Sequence, residues 1–227
     1  MKDISSSAKD IIQKIQNYNN DIKSSQAKPY KEPCVKCGQT PDDGFKRHDS
    51  WRRSFRCVTK TIVTIFFCDL VRWKCPLCSK TFTILPSFAA PYKRYVTEPI
   101  VGKSEAYLND SKLSTRKAVL YDDMPIGYQN TPEDQIDERQ VSHSTIWRWT
   151  EWLRSQKDLL DEALSLIRQK DPLNTFHREN VPISPVKYRS EKRKQTLESA
   201  SLFIRAHHFF ERVFLRSLFP RFATAPG

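Results

Sequence analysis

Ile4, Ala8, Ile11, Ile15, Tyr18 and Ile22 recur alternately four and three residues apart in an otherwise polar segment, the period that lines one face of a helix. Under three heptads long, the stripe is marginal as an isolated helix. It predicts a helix docked on its own protein, with a short self-associating seam as the alternative. From Phe55 to Phe67 the pattern turns to dense Val, Ile, Thr and Phe, the composition of paired strands. Lys80 to Pro86 reads as a further short strand that ends at its proline. Beyond Tyr92 the helical period returns. Helices are expected over 95–108 and 114–121, then as one or two from Ser142, a plausible N-cap, to Lys170, before the stop at Asp171-Pro172. A last helix is expected over 191–218, with Leu197, Phe203, Phe210, Phe214 and Leu218 to bury. An acidic, proline-containing loop (122–140) and a proline-rich linker (171–189) interrupt these helices, and no internal repeat is found.

This order predicts an α+β fold, mainly α: a small β zinc ribbon, then a helix-turn-helix-like helical domain, then a helical C-terminal extension. The expected divisions are an amphipathic N-terminal helix over 1–29, the ribbon over 30–93, the helical domain over 94–170, and a linker with a C-terminal helix over 171–227. Boundaries fall at prolines and polar runs, because fourteen Pro stand against only five Gly.

The charge adds a class of partner. Thirty-eight Lys and Arg against 26 Asp and Glu leave a formal charge of +12, which favours polyanions such as phosphate backbones; a merely solvated basic surface is the plain alternative. No apolar run reaches the roughly 20 residues of a membrane span, and the first residues lack the apolar core of a secretory signal. A cytoplasmic location is expected, with no membrane partner. Thiols there stay reduced, so paired cysteines are read as metal ligands before disulfides.

Cys34-Val-Lys-Cys37-Gly38 and Cys75-Pro-Leu-Cys78 supply two Cys-x-x-Cys turns with thirty-seven residues between Cys37 and Cys75. Each turn aims two sulfurs at one point, and two turns complete a tetrahedral thiolate cage. One structural zinc ion on Cys34, Cys37, Cys75 and Cys78 is the expected cofactor; a closed shell leaves no vacancy for a substrate. Buried thiols or a redox dithiol are the alternatives, and neither accounts for the doubling. Cys57 and Cys68 stand singly in the strand-like stretch and are expected to pack in a core. His48 could replace a thiolate, but it lies among Lys46, Arg47, Arg52 and Arg53 in a basic run with Phe45 and Trp51. That run is read as a loop for phosphate contact, braced by its rings, with a solvated strand face as the alternative.

In Val141–Leu153, Ile146, Trp149 and Leu153 share one helical face, while Ser144, Trp147, Arg148 and Glu151 point away. Short polar and Arg side chains near a helix start are what a recognition helix offers to a major groove, so His143, Ser144, Trp147 and Arg148 join Lys46, Arg47, His48, Arg52 and Arg53 as candidate DNA contacts. An ordinary amphipathic helix is the alternative. His207-His208, beside Phe209-Phe210, are read as helix surface and edge.

Cys34-x-x-Cys-Gly, Gly44-Phe-Lys-Arg-His48, Arg72-Trp-Lys-Cys-Pro-Leu-Cys-Ser-Lys-Thr-Phe-Thr83 and Leu85-Pro-Ser-Phe88 resemble the zinc-ribbon heads of insertion-sequence transposases and related mobile-element proteins. Ser114–Val119 and Ser142–Trp149 are similar to the helix-turn-helix that follows in them, so the likeness covers about residues 33–153. It implies sequence-directed binding of element DNA, with the same four cysteines as ligands. Two features depart from that family: the 122–140 loop exceeds the usual short turn, and the carboxyl half offers no succession of strands to hold a catalytic carboxylate cluster. The expected function is therefore a non-catalytic DNA-binding regulator or recognition subunit. The alternatives are a zinc-stabilised protein-interaction module, a truncated transposase remnant, or an enzyme whose site another chain completes. A second copy or a partner protein would meet the N-terminal or C-terminal helix.

Overall fold

The computed structural model describes residues 4–24, 33–34, 36–59, 62–120, 141–173, 183, 187–215, 218–219 and 222–223. The acidic loop over 122–140 and most of the 171–189 linker lie outside these described residues. The described elements, in chain order, are α1 (Ile4–Lys23), β1 (Lys46–Thr59), β2 (Ile62–Lys74), β3 (Thr81–Ile84), α2 (Thr97–Asn109), α3 (Thr115–Leu120), α4 (His143–Ser155), α5 (Lys157–Lys170), α6 (Glu191–Phe214) and β4 (Phe222–Ala223). Helices thus combine with one small antiparallel sheet of order β1-β2-β3-β4.

The sheet is built on a long hairpin. β1 and β2 pair from Lys46↔Lys74 to Thr59↔Ile62. Their Phe55, Cys57, Cys68 and Leu70 form a small core with Leu85, Phe88 and Val96. α1 closes this core. Its Ile11 and Ile15 are buried there, Ile22 is buried in a second cluster with Phe45, Trp73 and Phe82, and the Asn19 amide donates to the Phe67 carbonyl at 2.9 Å. From Ile11 to Ile22 the apolar stripe of α1 is therefore spent inside the chain. β3 adds only Thr81–Ile84 before Leu85-Pro86, as its proline dictates.

The basic run 45–53, expected as a loop, is instead the first half of β1. From Lys46 to Arg52 every side chain is exposed, so no apolar alternation betrays the strand. β1 is an edge strand, and from Lys46 to Arg52 its side chains stay exposed, which permits polar residues at consecutive positions.

The helices share a single larger core. Ile146, Trp149 and Leu153 of α4 meet Ile100, Tyr107 and Leu108 of α2, Ala118 and Val119 of α3, Leu160, Ala163 and Ile167 of α5, and Leu197, Phe203, Ile204 and Phe210 of α6. The helical run expected over 142–170 is two helices broken at Gln156. α6 is no appendage: α4 packs more extensively on it than on any other helix. Two buried lysines tie the layers together. Lys103 donates to the Val119 carbonyl at 3.1 Å, and Lys187 to the Tyr107 and Asp110 carbonyls, so ammonium groups satisfy orphan acceptors at the ends of α3 and α2.

Ser142 holds the N-cap position of α4 but makes no cap with its side chain; its hydroxyl meets the Ser144 hydroxyl at 2.9 Å. Ser190 does cap α6, accepting from the Arg193 N–H at 3.2 Å. His207 is not surface. It is 5% exposed, packed against Phe219, whereas His208 stays half-exposed and meets Glu105 at 3.0 Å. No described helix is long and apolar enough to cross a membrane.

Candidate functional site

The sulfurs of Cys34, Cys37, Cys75 and Cys78 all lie within 4.8 Å of one another, an arrangement that could hold a metal ion. Cys34 and Cys78 stand 3.8 Å apart, and Cys37 and Cys75 4.0 Å. Four thiolates at about 2.3 Å from a tetrahedral zinc would be separated by about 3.8 Å, so these pairs need almost no adjustment. The two turns are built alike. Gly38 N–H donates to the Cys34 carbonyl and Ser79 N–H to the Cys75 carbonyl, while Cys34 N–H donates to Gln39 and Cys75 N–H to Lys80. The fifth residue of each turn is left-handed, Gly38 at φ 70° and Ser79 at φ 58°.

Backbone N–H groups surround the cage. The Lys36 N–H points at the Cys34 sulfur from 3.4 Å. Burial pushes the Cys34 thiol up, but donors from Lys36 and Cys37 and bonds with its neighbouring thiols outweigh that and bring it down to about 7. The Gln39 N–H pulls the Cys37 thiol down, but burial and bonds with its neighbouring thiols outweigh it and push that thiol up to about 11, so the cluster shares its protons unevenly and favours the thiolate at Cys34 first. Cys57 and Cys68 lie outside the cage in the hairpin core, where burial pushes the Cys68 thiol up to about 12. They pack and do not ligate. His48 likewise lies outside the four-cysteine cage.

The basic residues beside the cage occupy two surfaces. On β1, Lys46, Arg47, His48 and Arg52 are exposed and Arg53 is half-buried. The register slips between Arg47↔Trp73 and Asp49↔Arg72, leaving His48 as the extra residue of a bulge that twists and re-aims this end. Arg52 stacks on the exposed Phe67 ring at 4.7 Å, Arg53 lies over Phe55 at 5.1 Å, and Asp49 pairs with Arg72 at 3.3 Å.

On α4, His143 and Arg148 are exposed and Ser144 is partly so. Trp147 differs from its expected role. The Arg193 guanidinium of α6 lies 4.3 Å over its ring, and the ring packs against the helical core, so it is engaged within the chain. Arg193 also donates to the Tyr107 hydroxyl at 2.7 Å and to the Lys187 carbonyl at 3.0 Å. Helical spacing sets Trp147 off the Ile146–Trp149–Leu153 face, but α6, whose Arg193 comes 46 residues later, covers it, which spacing within one helix does not reveal.

Lys93 and Arg94 were missed. The segment Pro91-Tyr-Lys-Arg-Tyr95 carries the same basic-aromatic mixture that singled out 45–53, and it runs beside β1. Arg56 N–H donates to the Arg94 carbonyl at 2.7 Å and Val96 N–H to the Arg56 carbonyl at 3.0 Å.

The family described as a domain of unknown function (DUF6431) matches residues 34–121, from the first cysteine turn through α3. No curated protein and no solved structure matches the chain.

Proposed function

We propose that this chain is a non-catalytic, zinc-containing DNA-binding protein. A four-thiolate zinc ribbon presents the outer edge of β1 to phosphates, and α4, in a helix-turn-helix-like unit, offers His143, Ser144 and Arg148 to base edges. The observation that carries this reading is the open edge from Lys46 to Arg52: basic, exposed on every residue, bent by a bulge and anchored beside the cysteine cage. An open edge of this kind invites aggregation unless charge protects it or a ligand uses it. Zinc is the ion that best suits four thiolates at these separations, and its closed shell makes it structural. The relation to insertion-sequence transposases rests on the motif resemblance, and a regulator or DNA-recognition subunit is the role it favours.

Selection of bound sequences from a random DNA pool, with the wild-type chain and Arg148→Ala in parallel, tests this. An enriched motif whose preference relaxes at one position in the variant is expected, together with affinity that falls steeply with salt. Failure to enrich any sequence removes base readout, and salt-indifferent affinity removes the phosphate contacts.

A further inference from the structure

We propose that Lys93 and Arg94 join Arg53 in a phosphate-binding strip running from the β1 edge to the exposed face of α4, so that a single duplex is held across both modules. This rests on the DNA-binding reading and adds to it a site and a geometry.

The continuity is in the contacts. The Arg53 guanidinium donates through Nη2 to the Lys93 carbonyl at 2.9 Å, which fixes the 91–95 segment against β1. The Lys93 ammonium then reaches 4.9 Å over the Trp152 ring of α4. Arg148 lies one turn before Trp152 and therefore on the same side of that helix. Arg94 is exposed between these anchors. The order along the surface is thus Arg53, the Lys93-Arg94 pair, then the Trp152–Arg148 side of α4; Arg52, one residue along the strand, leaves the opposite face of the hairpin with Phe67 and is not part of it.

The charge is uncompensated. Among the described residues, Arg53, Lys93 and Arg94 form no ion pair with a carboxylate; Arg53 has only a carbonyl and rings as partners. Burial lowers the Lys93 and Arg53 pKa values, and the neighbouring positive charge of Arg94 lowers that of Arg53 further. Like charges crowded at a half-buried seam disfavour one another, and a phosphate arriving between them supplies the missing counter-charge. Trp152 and Phe55 hold Lys93 and Arg53 in place before any ligand arrives, which cuts the ordering cost of binding.

The test is the salt dependence of binding to a DNA duplex carrying the selected sequence, for wild type, Lys93→Gln/Arg94→Gln, Arg148→Ala, and a control Arg168→Gln/Lys170→Gln in the exposed last turn of α5. Loss of two phosphate contacts reduces the slope of log affinity against log salt by about 2, and lowers affinity near 0.1 M salt by on the order of tenfold or more. The control keeps the wild-type slope. Metal content and melting temperature check the fold, and Arg94→Gln alone, an exposed change, lowers the slope by about 1. If the 93/94 variants keep the wild-type slope and affinity while Arg148→Ala weakens binding, the strip is overturned and the DNA-binding reading stands. If the wild type shows no salt-dependent duplex binding, that reading falls and takes the strip with it. The same series on an RNA duplex separates a DNA site from a general phosphodiester site: equal affinity there overturns the assignment to DNA.

Discussion

Gly38 and Ser79 occupy the same place in the two cysteine turns: each follows the second cysteine, donates its N–H to the carbonyl of the first, and is left-handed. One position has the residue that tolerates this conformation and the other does not. A side chain at positive φ costs about 1–2 kcal/mol, and glycine gives back about 0.5–1 kcal/mol through its freer unfolded chain. Ser79→Gly should therefore stabilise the metal-loaded protein by about 0.5–1 kcal/mol, and Gly38→Ala should destabilise it by a similar amount. The alanine meets no steric obstacle, since nothing lies within 4 Å of the added Cβ, so the effect isolates the backbone. Denaturant unfolding of both variants reads it; a stabilised Gly38→Ala would show that the two turns are not energetically alike.

Serine at any of Cys34, Cys37, Cys75 or Cys78 should abolish stoichiometric metal binding and unfold the small cluster around Phe45, Trp73 and Phe82, which includes two of those cysteines. Alanine at Cys57 or Cys68 should leave the metal content at one ion and cost only about 1–2 kcal/mol of packing. Elemental analysis with a melting curve distinguishes the groups, and metal loss from Cys68→Ala would break the division between ligands and core.

These groups differ in how plainly the sequence announces them. The cage was readable because two short spacings carry the whole geometry of each turn. The strand over 46–52 was not, because an edge exposed on both faces leaves no alternation to read. Nor was the place of α6: Leu197, Phe203 and Phe210 form an apolar stripe, but a stripe does not name its partner, and only the folded chain sets them against Ile146 and Leu153. His207 was misplaced for a related reason, since two adjacent histidines look polar until Phe219 packs over one of them.

Arg193→Ala should cost about 1–3 kcal/mol, because it removes the cation over Trp147 and the bond to the Tyr107 hydroxyl together. Trp147→Phe keeps an aromatic face and should cost less than Trp147→Ala. If Arg193→Ala left stability unchanged but weakened DNA binding as much as Arg148→Ala, then Trp147 and its cover would belong to the interface after all.

His207 makes stability depend on acid. Burial first, and then the neighbouring His208, lowers its pKa to about 3, although Glu211 lies 3.5 Å from its ring. The unfolded chain takes up this proton near pH 6.5 and the native protein resists it, so stability is lost as pH falls from about 6.5 towards 3, by up to about 1.4 kcal/mol per pH unit. Unfolding free energies for wild type and His207→Gln should diverge in slope over that window. Parallel slopes would mean that Glu211 keeps the ring protonated in the fold.

The place of α6 in the core bears on the order in which the chain becomes a protein during synthesis. The hairpin, its cysteine turns and the α1 stripe that covers them are complete once Val96 has emerged, so this half can take up its ion while the rest is still being made. Helices α2 to α5 have less independence: they bury part of their apolar faces against one another, and the rest waits for Leu197 to Phe210. Arrested nascent chains ending near residue 175 should be more protease-resistant in the first half than in the second, leaving α4 among the last parts to take its final shape.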